Sequence, residues 1–381
     1  MSTQDTPHAS LLAAAHADPK RRARLTSHAA LLAANVLFGV GNIVSKVGLQ
    51  ATNPIVFALL REVVSGPLLL LISMRIERDS PVEQEGSAEA PAPGTKWEQI
   101  KRLRWRLLLN GGALWGTNLC YIVGVKLAGP TIGSIWQSAQ PVTLTLMAVA
   151  LRFEGCTAYK AGGIVLAFSG CLFVSVWGSA FQSDGLANMV IGNLVFFLQN
   201  LCISVYCLSQ KQILRTFPPI AALAYAYFVA SLLMAAVAGG ISASPEALHR
   251  LCSDCKGNGW DIPVDAILAI AYWVVFGSMI GYFCCAWGNQ HVHASVVGIY
   301  GSVQPVVTII VAQLVIGLSQ PPHFGLSTVN WADFGALAIF VGLGLVVIDS
   351  SRGHTARALV DDERQTESRL CVDPASSSTT R

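Results

Sequence analysis

Apolar runs of about membrane length dominate the chain, separated by short polar segments. A hydrocarbon core of about 30 Å takes about 20 helical residues. By that measure ten runs qualify: 28–49, 54–74, 105–127, 131–151, 160–178, 188–211, 219–240, 266–289, 293–316 and 331–349. Backbone polar groups in lipid are satisfied only within helices or closed barrels, and these runs are too long and too continuously apolar for barrel strands. The expected fold is an all-α membrane protein with ten transmembrane helices.

The pattern also repeats. GSIWQSAQPV at 133–142 returns as VGIYGSVQPV at 297–306, 164 positions later. Upstream, at a spacing of 165, Asn35 matches Asn200, Lys46 matches Lys211 and Pro54 matches Pro219. Downstream, at a spacing of 172, Gly163, Phe168 and Gly170 match Gly335, Phe340 and Gly342. Five spans per copy is an odd number, so the second copy enters the membrane upside down, and the duplicated unit is an inverted repeat. The expected organisation is an N-terminal cytoplasmic tail (1–27), a first repeat (28–178) carrying a flexible cytoplasmic loop (75–104), a second repeat (188–349) and a disordered cytoplasmic C-terminal tail (350–381).

Charge sets the orientation. Of the 25 lysines and arginines, 20 fall on segments that share a side with the two termini, so both ends are expected in the cytoplasm. The net charge of +3 follows from that bias, and no nucleic-acid partner is read into it. The basic tract Arg102–Arg106 suits a membrane surface lined with anionic headgroups. The polar first 27 residues lack the short apolar core of a cleavable signal. Cys252 and Cys255, in a loop assigned to the non-cytoplasmic side, could close a disulfide or remain thiols; without a second Cys/His pair they do not suggest zinc. There is no P-loop, H-E-x-x-H or nucleophile elbow, which disfavours an ATP-driven pump or an enzyme.

Polar residues inside the spans are the candidates for function. The fourth and ninth spans each carry an aromatic, a glutamine four residues on, and then a proline: Trp136, Gln140 and Pro141, then Tyr300, Gln304 and Pro305. On a continuous helix the aromatic and amide share a face, and the proline frees carbonyls or lets the helix bend. Asn35, Asn42 and Lys46 form a polar stripe on the first span, and Asn200, Ser204, Cys207 and Lys211 answer on the sixth, widened by Gln199 and Tyr206. Cavity lining and interhelical packing both account for the asparagines and glutamines, while the lysines suit snorkelling to the interface. Arg61 and Glu62 lie about two turns into the second span. An arginine at a helix centre costs roughly 2.5–3.5 kcal/mol on insertion scales. Sequence neighbours point about 100° apart, so Lys46 is the candidate ion-pair partner of Glu62 and an anionic substrate group that of Arg61, with a purely structural ion pair holding the first two helices together as the alternative. Tyr121 and Trp287 are further aromatic candidates for substrate contact.

NVLFGVGNIVSKVGL followed by FALLREVVSG, the duplicated QPV segments, and VYCLSQKQILRTFPP resemble the EamA-type drug/metabolite transporter superfamily, most of all its plant nodulin-like, Walls-Are-Thin-type members, over residues 28–349. The resemblance implies a ten-helix inverted-repeat carrier of amino acids, auxin-like acids or other small organic solutes. It also places the family's polar first-helix segment on Asn42–Lys46, its second-helix arginine on Arg61, its fourth-helix proline on Pro141 and its following acidic residue on Glu154. IGLSQPPHF, in the second copy, has no acidic residue at the equivalent of Glu154.

The expected function is secondary transport by alternating access around a midplane cavity bounded by spans one, three, four, six, eight and nine. A small molecule is the substrate, with a proton or cation as a possible co-substrate and the lipid bilayer as the medium. No cofactor or metal is called for, and nothing assigns an oligomeric state. The plasma membrane is favoured over endomembranes. The alternatives are an organellar nucleotide-sugar or sugar-phosphate antiporter and, in another class, a non-transporting membrane scaffold or sensor.

Overall fold

A computed structural model of the chain describes residues 19–49, 52–79, 96–152, 157–159, 186–244, 262–292, 294–301 and 303–318, with isolated positions between 161 and 173, at 260, and between 337 and 345. Most of the fifth and tenth predicted spans, both tails, Glu154, Cys252 and Cys255 lie outside the described residues.

Every described element is helical. Helices α1 (Pro19–Gly48), α2 (Pro54–Asp79), α3 (Lys96–Ser138) and α4 (Gln140–Ala150) are followed by α5 (Leu186–Ile213) and α6 (Pro219–Ser242). Next, α7 (Val264–Tyr272) passes through a π-helical stretch, Trp273–Gly281, into α8 (Tyr282–His291). Last come α9 (Ala294–Tyr300) and α10 (Val303–Leu318). Among the described residues, five helical segments are long and apolar enough to cross a membrane: Thr26–Lys46, Pro54–Ile76, Ala187–Ile213, Pro219–Ser242 and Ala266–His291. The chain is therefore a multi-pass membrane protein.

Local chemistry explains the boundaries. Helices α1, α2 and α6 open on proline, whose missing N–H is no loss where no intrahelical acceptor exists. The Asn53 side chain caps α2 by accepting from the Ile55 N–H at 3.0 Å. The basic segment from Lys96 contains no glycine or proline before Gly111, so it continues into the third span as one helix. There Lys101 lies over the exposed Trp97 ring and Arg104 over the exposed Trp105 ring. Leu103 and Leu107 on the same segment pack on Ile213, Leu214 and Phe217 at the end of α5. Within α3 the third and fourth spans part at Gly129, whose φ of 86° is a left-handed value that glycine adopts without strain.

Packing is reciprocal between the copies. Helix α1 packs against α7, α8 and α10, whereas its counterpart in the repeat, α5, packs against α3 and α4. Helices α2 and α6, also counterparts, pack on each other. Each copy thus lays its first helix against the other copy's later helices.

The seam is tight where aromatic residues cross it. The Trp273 indole sits against Gly41 and Gly277, and a Cβ at Gly41 would meet its ring at 2.7 Å. Gly41→Val is therefore expected to destabilise the protein by about 1–3 kcal/mol, read as a lower melting temperature in detergent.

Candidate functional site

A cavity of about 80 Å³ lies among α1, α2, α3, α4, α5, the α7–α8 helix, α9 and α10. A water needs about 10–15 Å³ on this scale, so the centre has room for several. The site adds the second span, through Arg61, to the six spans expected around it.

Two helix breaks shape the cavity. The fourth span turns at Ala139, so that α4 starts on Gln140 with Pro141 in its first turn. The ninth span turns at Gly301, and α10 restarts at Val303, two residues before Pro305. A proline in the first turn forfeits no ladder hydrogen bond, so each proline starts a helix rather than bending one. The carbonyls exposed by the first break find partners: Trp136 O accepts from the Ala139 N–H at 3.0 Å and from Asn200 Nδ2 at 3.0 Å. At the second break Gln304 Nε2 donates to Asn35 Oδ1 at 2.7 Å. The matched asparagines thus brace reciprocal breaks, each holding the broken helix of the other copy.

These turns correct the expectation that Trp136 and Tyr300 share a face with Gln140 and Gln304. That expectation assumed an unbroken helix. Gln140 and Gln304 border the cavity. Trp136 instead faces α5, donating from Nε1 to Asn193 Oδ1 at 2.8 Å and meeting Phe197 edge-on. The Tyr300 hydroxyl pairs with His28 Nδ1 at 2.9 Å. Trp287 packs on His291, with ring centroids 4.6 Å apart, and does not border the cavity either.

Asn42 lies behind the cavity wall as a fully buried junction. Its Nδ2 donates to Gln137 Oε1 and to Thr308 Oγ1, both at 3.0 Å, and its Oδ1 accepts from the Tyr121 hydroxyl at 2.6 Å. First, third, fourth and ninth spans meet at this side chain, and its polar groups are all engaged. Tyr121 and Tyr206 border the cavity. On α5 the lining residues Gln199, Ile203, Tyr206, Cys207 and Gln210 follow helical spacing, one stripe of one face.

Arg61 and Glu62 are the electrostatic centre, 1% and 0% exposed. Contrary to the expectation from their 100° offset, they face each other: Arg61 Nη2 stands 3.7 Å from Glu62 Oε1. The long guanidinium arm can reach around the helix, and a buried carboxylate without a compensating charge would cost more than the bent arm. The expected Lys46–Glu62 pair is not formed. Lys46 is only part-buried, and the same Glu62 oxygen accepts from Asn118 Nδ2 at 2.8 Å. The Arg61 guanidinium lies over the Trp273 ring at 5.1 Å, and Trp273 is held by Nε1 donating to Ser45 Oγ at 2.6 Å. Arg61 Nε and Nη2 make no hydrogen bond among the described residues, nor do the buried acceptors Gln199 Oε1 and Asn289 Oδ1. All four belong to cavity-lining residues.

Sequence reasoning passed over Asn118, Gln210, Trp273, Tyr282 and Asn289 as lining residues. The signal was present for the two asparagines, since an amide in mid-span must face protein or water. Lys211, assigned to snorkelling, donates from Nζ to Val292 O at 2.7 Å, at the end of α8.

A solved structure shares this architecture. Described only as "Crystal structure of protein", it superposes with a TM-score of 0.55 at 17% identity, over 87% of this chain and 98% of that one, and shows the fold alone. Two Bacillus subtilis proteins are similar in sequence. Uncharacterized transporter YyaM is 24% identical over 58% of this chain and 68% of its own length. Uncharacterized transporter YetK is 22% identical over 79% of this chain and 82% of its own. The WAT1-related protein At4g15540 of Arabidopsis thaliana is 22% identical over 63% of this chain and 68% of its own length. The profile of the EamA-like transporter family matches twice, over residues 25–176 and again over 190–348, an internal repeat that takes in most of the sequence. The chain belongs to the EamA-like transporter family.

Proposed function

We propose that this transporter is a secondary carrier of small organic acids, working by alternating access between two inverted halves, 28–178 and 188–349, with Arg61 as the docking point for the solute's anionic group. One observation carries the reading: a guanidinium 1% exposed, whose Nε and Nη2 make no hydrogen bond among the described residues, borders a cavity at the seam of the copies. A buried cation with free donors is a costly arrangement that an incoming carboxylate relieves. The aromatic rings of Phe38, Tyr206, Trp273 and Tyr282 on the same wall suit a flat organic body. Amino acids and auxin-like acids are the substrate classes that this chemistry admits. Among the described residues Arg61 is the single cationic side chain on the wall, which favours one negative charge over the diphosphate of a nucleotide sugar. Both termini lie in the cytoplasm on the lysine and arginine bias, and the plasma membrane is the favoured site.

The test is counterflow in proteoliposomes preloaded with each member of a panel of amino acids, indole-3-acetate and benzoate. Uptake of at least one labelled acid should be stimulated by the same acid inside. Silence across the panel contradicts the reading. Replacing Gln140 and Gln304 together by leucine removes two amides from the wall and should slow that exchange on the order of tenfold at matched amounts of membrane-inserted protein. Exchange at the wild-type rate would remove both from the site.

A further inference from the structure

Resting on the carrier reading above, we infer that Glu62 is the proton-binding residue of a coupled site, in which one solute anion and one proton occupy the protein together. The inference comes from charge balance in the buried pair. Arg61 supplies one positive charge, and Glu62, 3.7 Å away, already neutralises it. An anion docking on Nε and Nη2, which make no hydrogen bond among the described residues, brings a second negative charge against the same cation. Charges reach Glu62 only from its own helix among the described residues. Helix α3 presents the neutral Asn118, α6 presents Tyr227, and α8 presents Tyr282. The Ser231 hydroxyl from α6 bonds the Glu62 backbone carbonyl and adds no charge. With no second cation to balance it, the extra charge in a low-dielectric interior is removed when Glu62 takes a proton.

The geometry supplies a place for that proton. Glu62 Oε2 is buried with no hydrogen bond among the described residues, so a hydroxyl formed there displaces no existing contact. The other oxygen is joined to the cavity through Asn118, whose Oδ1 accepts from the Tyr282 hydroxyl at 3.3 Å; both residues border the cavity. Glu62 itself stands behind that wall, screened from direct contact with the solute. The balance is complete: a carboxylate anion and a proton enter, Arg61 transfers its pairing from Glu62 to the solute, and the loaded site has the same net charge as the empty one. A carrier so built moves acid and proton in the same direction and is driven by a pH gradient.

The direct experiment uses the purified full chain in weakly buffered detergent at neutral pH, with sodium indole-3-acetate, benzoate and the amino-acid panel as probes. Binding should take up one proton per bound anion, seen as alkalinisation, and apparent affinity should rise tenfold per unit fall in pH while the empty site holds Glu62 ionised. Difference infrared spectra of the wild type should gain a protonated-carboxyl band on binding, shifted by ¹³C labelling of glutamate. Glu62→Gln, whatever its affinity, should bind without proton uptake. Binding to the wild type with no proton uptake overturns the inference and leaves the carrier reading standing. Proton uptake without the glutamate band, or with full retention in Glu62→Gln, also overturns it. If no probe binds or exchanges, the carrier reading itself fails and this inference with it.

Discussion

Arg61→Ala should lose affinity for acidic solutes by about 2 kcal/mol or more, on the order of 30-fold, because truncating one member of a buried charge pair leaves the other without its partner. The same change strands Glu62 in the membrane interior, a defect worth about 3–5 kcal/mol in buried pairs. Lost folding and lost binding must therefore be separated. The double variant Arg61→Ala/Glu62→Gln removes both charges at once, so it should recover most of the stability and none of the affinity. Arg61→Lys keeps the charge but loses the planar fork and the stacking on Trp273, so it should fall between wild type and alanine. Exchange assays with matched amounts of reconstituted protein check all three. Unchanged affinity for acids in Arg61→Lys would remove Arg61 from the binding site.

The second large effect falls on stability. Asn42→Leu removes three side-chain hydrogen bonds, to Gln137, Thr308 and Tyr121, from the junction of four spans. Intramembrane hydrogen bonds average about 0.6 kcal/mol, with a maximum near 1.7, whereas stranding a buried polar group costs about 1–3 kcal/mol. Thr308 keeps its bonds to the Gly39 and Gln304 carbonyls, so the loss falls mainly on Gln137 and Tyr121. A destabilisation of about 2–3 kcal/mol is expected, measured by reversible unfolding in mixed detergent micelles. An Asn42→Leu protein as stable as wild type would mean that the junction does not hold the spans together.

Much of this arrangement was legible because lipid enforces simple rules. Apolar runs of membrane length pointed to the five long apolar helices found among the described residues, and a repeated segment with its prolines pointed to Gln140 and Gln304. A charge two turns inside a span singled out Arg61. What stayed hidden depended on exact backbone direction. Trp136 and Tyr300 were misplaced because the turns at Ala139 and Gly301 rotate each aromatic away from the glutamine that follows it. The Arg61–Glu62 pairing was hidden by a rule about helix angles that ignores the length of an arginine side chain. Trp273 offered no signal at all: an indole in an apolar run reads as packing, and only the fold brings it beneath Arg61.

The central claim is that the Arg61-lined cavity is the route of the solute, open to each side of the membrane in turn. The most direct measurement places one cysteine at Gln140 in a protein whose native cysteines have been replaced by alanine or serine, and applies a membrane-impermeant thiol reagent from either face of oriented vesicles. Labelling from both faces, slowed from both by an acid that the carrier exchanges, is the predicted result. Labelling from neither face, or from one face with no protection by any exchanged acid, would contradict it.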